Sequence, residues 1–487
     1  MAEQRREPRS FDDLLSRREV LKRGILGAAG LAAVPAGLAV LPAVLAACNG
    51  TTATAAASPI VIPPPTPMPA PLTPSPTPGL SGLLRVGFNN PLTTETELQN
   101  LWAGLSDVDA AFTARTGLAL TMNEFTSAGP PYLTSEPDDV CMSTSNYHPG
   151  YVLHLISAAG WLTPLDDVWD AVKGNFSAAV AEAVTGSDGH VYGIPFECYP
   201  WVFFYRKSLW ASKGYEVPAT WTELLALCKR MQSDGLTPIA FGNKDGWPAL
   251  GTFDMLNLRL NGHDFHIGLL TGKEKWTDPR VIAVFEAWRK LIPYSTSGPL
   301  GRTWQDAAAT LVGKQAGMFY VSLSVFSEVD ATVVDDVDFF EFPYFGNAWD
   351  AERVVEAPID IWIMPSKSPT LPADRVNAKA YLEFWAGGAT QLLMSARKPG
   401  FIPVARDTDT SQLDRLGKKA FELVGGTQRI TQFFDRDTRP DFPSLTGGFG
   451  GFLSAFLYEP TRDLAAFTRN IQQFWDALPP FRAESVD

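Results

Sequence analysis

The chain has 487 residues, 45% of them hydrophobic, which allows two or three domains and excludes a disordered protein. Its formal net charge of −13 argues against nucleic acid as a partner, because phosphate binding needs clustered Lys and Arg. The 14 Trp and 30 Phe are a rich aromatic supply; most must be core, but sugar sites also need flat apolar faces, so the count leans mildly toward carbohydrate.

The N-terminal stretch Met1–Gly24 mixes basic and acidic residues and contains SRREVLK at Ser16–Lys22. Gly24–Ala47 is an apolar run rich in small residues, broken by Pro35 and Pro42, and ends Leu45-Ala46-Ala47-Cys48. A basic start, an apolar run and small residues at its end read as a signal peptide over residues 1–47; proline is poor in a spanning helix, which disfavours an uncleaved anchor. The basic motif resembles a twin-arginine export signal, with Val20 where such signals prefer Phe, and the end resembles a lipobox. That resemblance implies folding before export and a lipid on Cys48. Residues 48–82 are rich in Pro, Thr and Ala and favour an extended, semi-rigid stalk.

The globular part opens at Leu83 with an apolar strand, LLRVGF. Thr94 and Glu97 are spaced as a capping box. Leu98, Leu101, Trp102, Leu105, Val108 and Phe112 then share one helical face, and Gly117 stands where a helix-ending glycine belongs. Leu118–Met122 reads as the next strand, so the start is β–α–β and predicts a parallel sheet covered by helices. Asn123–Glu136 holds Pro130 and Pro131, leaving room for a shortened helix at most. After the strand at Asp139–Met142, the loop Ser143–Pro149 lies at a strand's C-terminal end, where open parallel sheets bind ligands; Asn146 and Tyr147 are therefore candidate contacts.

Val191–Trp221 reads as strand, aromatic crossing, strand, then a helix opened by the capping box Thr220/Glu223. Tyr199 and Trp201 flank Pro200 in the crossing and are candidate sugar contacts, by stacking and by the phenolic hydroxyl. The loop GNKDGWP at Gly242–Pro248 supplies Asp245 to accept from hydroxyls and Trp247 to stack beneath a ring. Trp304 precedes a predicted helix and Phe449 sits in GGFGG; each can reach a cleft. Asp360 and Trp362 share a face of the strand in APIDIWIMPSK, with cleft lining and strand core as the two readings.

These stretches, above all Val191–Leu250, resemble family 1 extracellular solute-binding proteins, the carbohydrate-binding subunits of ABC importers. The resemblance runs over about residues 83–480. It implies an α/β, two-lobe periplasmic-binding-protein-like fold with a hinge and an inter-lobe cleft. Lobe one would hold residues 83–197 and 358–405, and lobe two residues 198–357 and 406–480. It further implies a monomer that captures a sugar and delivers it to permease subunits, held outside the cytoplasm by its lipid. Ser322, Leu323 and Ser324 stand where the family usually has a Gly-Ser-Trp with a stacking Trp. Other readings are a non-sugar solute such as a glycerol phosphate or peptide, or a surface-anchored glycoside hydrolase. No catalytic residues, cofactor or metal are expected: His263, Asp264 and His266 read as a loop without a metal motif, and Gly313-Lys314-Gln315 lacks the rest of a P-loop. Cys141 and Cys228 read as buried free thiols in a strand and a helix.

Overall fold

The computed structural model describes residues 80, 82–89, 95–125, 130–143, 151–329, 331–368, 372–444 and 447–479. Cys48, the signal and stalk segments, Thr94, Asn146 and Tyr147 lie outside the described residues. The strands are β1 (Leu83–Asn89), β2 (Ala119–Phe125), β3 (Val140–Ser143), β4 (Ile194–Cys198), β5 (Trp201–Arg206), β6 (Thr237–Ala240), β7 (Ala316–Ser322), β8 (Val337–Phe340), β9 (Val354–Glu356), β10 (Ile359–Ile363) and β11 (Arg429–Thr431).

The first sheet has the order β2-β1-β3-β10-β4, with β1 parallel to β2 and β3, and β10 antiparallel to its neighbours. The parallel start follows from the helix Glu95–Thr116, which supplies the long crossover that a parallel pair needs. Its apolar face is buried through Leu98, Leu101, Leu105, Val108 and Phe112, and Gly117 at φ 73° turns the chain out of the helix. The stretch before β3 keeps only a five-residue helix, Pro130–Thr134. The second sheet has the order β6-β7-β5-β8, and β9 pairs with β11 separately. The Thr220/Glu223 capping box is reciprocal, and Asp278 caps the helix Pro279–Leu291. Two helix-covered sheets make this an α/β fold of two lobes.

Only Tyr199 and Pro200 separate β4 of the first sheet from β5 of the second. The return crossing, Ala357-Pro358, is equally short, and the two are joined by Tyr199 N–H donating to Pro358 O at 3.2 Å. Cys198 and Ile402 exchange both backbone hydrogen bonds at 2.9 Å, while Leu323 N–H donates to Pro200 O at 2.9 Å. Gly400, at φ +88°, lies so close to Leu323 that an added Cβ would stand 2.2 Å from its carbonyl oxygen. This is why the GFIPV turn begins with glycine.

Cys141, Cys198 and Cys228 are free and buried. His263, Asp264 and His266 do not form a loop: they open the helix His263–Leu270. Phe449 begins the helix Phe449–Tyr458 and is wholly buried, stacked on Phe434 at 4.6 Å; core packing replaces the expected reach toward a cleft. Trp362 is likewise 0% exposed, set among Phe196, Tyr381 and Trp385 with ring centroids 5.8, 5.6 and 5.1 Å away. Of the two readings of Trp362, the structure gives strand core.

Trp362→Ala should lower the unfolding free energy by about 3–5 kcal/mol, the usual cost of emptying such a site. Urea unfolding of the two proteins measures this; a loss well under 1 kcal/mol would contradict a core role.

Candidate ligand-binding site

Trp201 is the centre of an aromatic cluster drawn from four parts of the chain. It meets Trp247 edge-on at 5.6 Å, Tyr320 at 5.5 Å and Phe433 face to face at 5.4 Å. Pairing of β5 with β7 sets Trp201 opposite Ser322, so Tyr320 is carried to the ring from the neighbouring strand. The helix Trp247–Asn261 closes in from one side because Gly251 has no side chain: an added Cβ would meet the indole at 2.6 Å. Trp201 is thereby only 3% exposed, whereas Trp247 is half-buried and keeps part of its ring open.

Trp247 and Asp245 hold the loop together with Trp304. The Trp247 and Trp304 rings lie 6.2 Å apart, and Asp245 accepts from Trp304 N–H at 3.4 Å. Trp304 is the first residue of its helix rather than preceding it, capped by the Thr303/Asp306 box, and is almost fully buried. Asn243 accepts from Ala249 N–H at 2.9 Å and fixes the loop to the helix start.

The other predicted contacts form a buried charged network at the crossing. Asp360 is paired with Arg436 at 3.1 Å and accepts from the Tyr199 hydroxyl at 3.4 Å. Arg436 also donates to the Tyr199 hydroxyl and to Ile359 O, the latter at 2.9 Å. Beside it Glu197 is paired with Lys398. Burial pushes the Glu197 carboxyl up to about 8 against the pull of Lys398, with neighbouring Asp360 adding to the rise. Asp360 is thus a structural partner of Arg436, and Tyr199 keeps one partly exposed edge. Trp362 stands apart from this cluster, in the first sheet's core.

Several groups here were not singled out from sequence. Asp254 and Glu356 are 0% exposed, and none of their carboxyl oxygens has a hydrogen bond of good geometry; the Phe434 backbone N–H is a donor close to Asp254. Asp254 follows Gly251 by three residues and Trp247 by seven, on the same helix face. His266 Nε2 stands 3.7 Å from Asp254 Oδ1, beyond hydrogen-bonding distance. Burial holds His266 down at about 3, and Asn257 Nδ2 donates to its Nδ1 at 3.0 Å, so a neutral ring carries its proton on Nε2. The Tyr320 hydroxyl is also buried without a partner, within electrostatic reach of Glu356 and Asp254. Among the described residues no group of three or more His, Cys, Asp or Glu is arranged to hold a metal ion. A separate groove of about 500 Å³, lined by residues such as Val217, Phe342 and Leu423, shares no residue with this cluster.

Comparison with known proteins defines the class. The family model for bacterial extracellular solute-binding proteins matches residues 128–391. The chain belongs to that family, and its resemblance is to binding proteins rather than enzymes. It is 25% identical over 301 residues to an uncharacterized ABC transporter extracellular-binding protein of Pyrococcus horikoshii, covering 61% of this chain and 65% of the relative. A probable sugar-binding periplasmic protein of Rhizobium meliloti is 29% identical over 177 residues, 33% of this chain and 40% of that one. Among solved structures, the bacterial solute receptor AcbH, described as having an exclusive preference for β-D-galactopyranose, is 35% identical with a TM-score of 0.71. That match covers 81% of this chain and 98% of the receptor. The family is extracellular, which agrees with a chain working outside the cytoplasm. No helix among the described residues is long and apolar enough to cross a membrane.

Burial pushes Asp437 up to about 6, opposed by Thr431 and Gln432, which donate to its Oδ2. A carboxyl raised above its unfolded value of about 3.9 stabilises the fold most in acid and loses that contribution as pH rises to about 6. Asp437→Asn keeps an accepting oxygen but cannot titrate. Relative to the variant, the native protein should lose stability between about pH 4 and pH 6. Denaturant unfolding across that range tests it; parallel profiles would contradict the shift.

Proposed function

We propose that this protein is the substrate-binding subunit of an ABC importer, capturing a small neutral sugar between its lobes and presenting it to permease subunits. The observation that carries this reading is the aromatic wall around Trp201, left partly open at Trp247 and bordered by acceptors. Sugar C–H faces stack on such rings, and carboxylates accept from sugar hydroxyls. The likeness to a galactopyranose receptor makes D-galactose the first ligand to try. Tyr199, Trp247, Asp245 and the edge of Trp304 would contact it from the crossing and lobe two, with Asn146 and Tyr147 opposite. Trp201 would act from beneath Trp247 as its support. Phosphate ligands are disfavoured, because the arginine and lysine of the crossing are already paired with Asp360 and Glu197.

In this reading lobe one comprises residues 83–197 and 358–405, and lobe two residues 198–357 and 406–480, closing by hinge motion about the crossings. The protein would work as a monomer. Residues 1–47 would direct export of the folded chain, Cys48 would carry the lipid, and residues 48–82 would hold the lobes off the membrane's outer face.

Two measurements test the reading. A thermal-shift screen should show a higher melting temperature with D-galactose or a related neutral sugar, since a ligand of the folded state stabilises it by mass action. Trp247→Ala should weaken that binding by about 1–3 kcal/mol, and an unchanged Kd would remove Trp247 from the site. Separately, Cys48→Ser should abolish lipid labelling and release the protein from membranes; a cleaved variant still held there would refute the lipid anchor.

A further inference from the structure

The unpartnered groups beside Trp201 go beyond what the aromatic wall requires. A buried carboxylate without a donor is costly, and a folded protein retains such a group only where something repays the burial. Here two occur together. Asp254 reaches the place from the helix that carries Trp247, and Glu356 from β9, immediately before the return crossing. They interact electrostatically with each other, as well as with Asp435 and Asp437. The Tyr320 hydroxyl, which is not an acid, is also unpartnered and comes from a third element, β7; its residue is 5% exposed. Three elements thus bring unsatisfied oxygen atoms toward one place, next to the ring that organises the cluster.

The neighbouring cations do not neutralise the pair. Arg259 spends its guanidinium on Phe342 O and Val354 O, at 3.2 and 2.9 Å. Arg436 is committed to Asp360, Tyr199 and Ile359. His266 is held neutral at a distance too long for a hydrogen bond. Burial, and then the neighbouring carboxylates, push both Asp254 and Glu356 well above the usual carboxylate range, opposed at Asp254 by the Phe434 backbone N–H.

We infer that Asp254 and Glu356, with the Tyr320 hydroxyl, form an acceptor-lined subsite for adjacent hydroxyl groups of a neutral polyol. A buried carboxyl kept in its protonated form offers one accepting oxygen and one O–H donor to neighbouring hydroxyls. A vicinal diol supplies two adjacent hydroxyls and brings no charge. A carboxylated or phosphorylated sugar would bring a negative charge to buried acids whose neighbouring cations are already engaged, so the subsite selects by charge as well as by hydroxyl count. Trp247 and its loop would hold the ring, while this pair would decide which ring is accepted. The inference rests on the sugar-binding reading above.

The test uses calorimetric titration of D-galactose and D-galacturonate into the native protein, Asp254→Asn, Glu356→Gln and Tyr320→Phe, with the melting temperature of each unliganded protein. Asp254→Asn and Glu356→Gln should weaken galactose binding by about 10-fold, the worth of a well-made buried hydrogen bond. They should also narrow the preference for galactose over galacturonate. Their unliganded melting temperatures should hold or rise, because each substitution replaces a buried carboxyl that makes no well-formed hydrogen bond with a neutral amide of the same shape. Tyr320→Phe should weaken binding less. Native-like affinity in both acid variants, where the native protein binds galactose, overturns the subsite and leaves the sugar reading standing. A fall in melting temperature together with affinity assigns the pair a structural role and likewise overturns it. Failure of the native protein to bind galactose or any other neutral sugar overturns the sugar reading and the subsite with it.

Discussion

The ion pair between Arg436 and Asp360 is the constraint around which the crossing is built. Both groups are buried, and breaking such a pair leaves an uncompensated charge in a poorly polarisable interior. Arg436 comes from the segment after β11, Asp360 from β10 of the first sheet, and Tyr199 from the two-residue link into the second. One guanidinium therefore fixes three chain segments that are far apart in sequence. The Glu197–Lys398 pair repeats the device one residue before the Cys198–Ile402 backbone exchange. With the linking segments held this tightly, Trp201 leaves the crossing at a defined angle, and the aromatic cluster can assemble on it.

This arrangement also bears on the charge of the candidate site, where the buried cations among the described residues are already engaged. The buried arginines and the buried lysine are consumed by structural carboxylates and carbonyls. What remains near Trp201 is apolar ring surface and oxygen. A wall of that composition favours a ligand rich in donors and poor in negative charge, so the electrostatics of the crossing and the chemistry of the site are one design.

Much of the fold was legible in sequence because it depends on local rules. The helical spacing from Leu98 to Phe112, the turn at Gly117 and the capping box at Thr220 follow from periodicity and capping alone. The site was legible only where unusual residues stand in loops, as at Asp245 and Trp247. Trp362 and Phe449 misled because an aromatic side chain suits a core and a sugar platform equally, and only packing decides. Trp304 differs by one residue, since its capping box starts the helix at the Trp itself. The histidines at 263 and 266 follow Gly262, which reads as a loop signal but here separates two helices. Asp254 and Glu356 were overlooked because each is a single acid inside an apolar run, FDML and VVEAP, and reads as one solvated position. The available clue was that both runs are otherwise wholly apolar, which leaves no solvent-facing side for the acid.

Cys141, Cys198 and Cys228 bear on a different property, the redox behaviour of the fold. Each lies in its own element, enclosed, and Cys228 is pushed by burial up to about 12. A thiol so seldom ionised is a poor nucleophile toward oxidants and mixed disulfides. The described fold is stapled instead by rings and buried ion pairs, which form equally well in reducing and oxidising surroundings. The packing of the described lobes therefore does not depend on the oxidation of these three thiols.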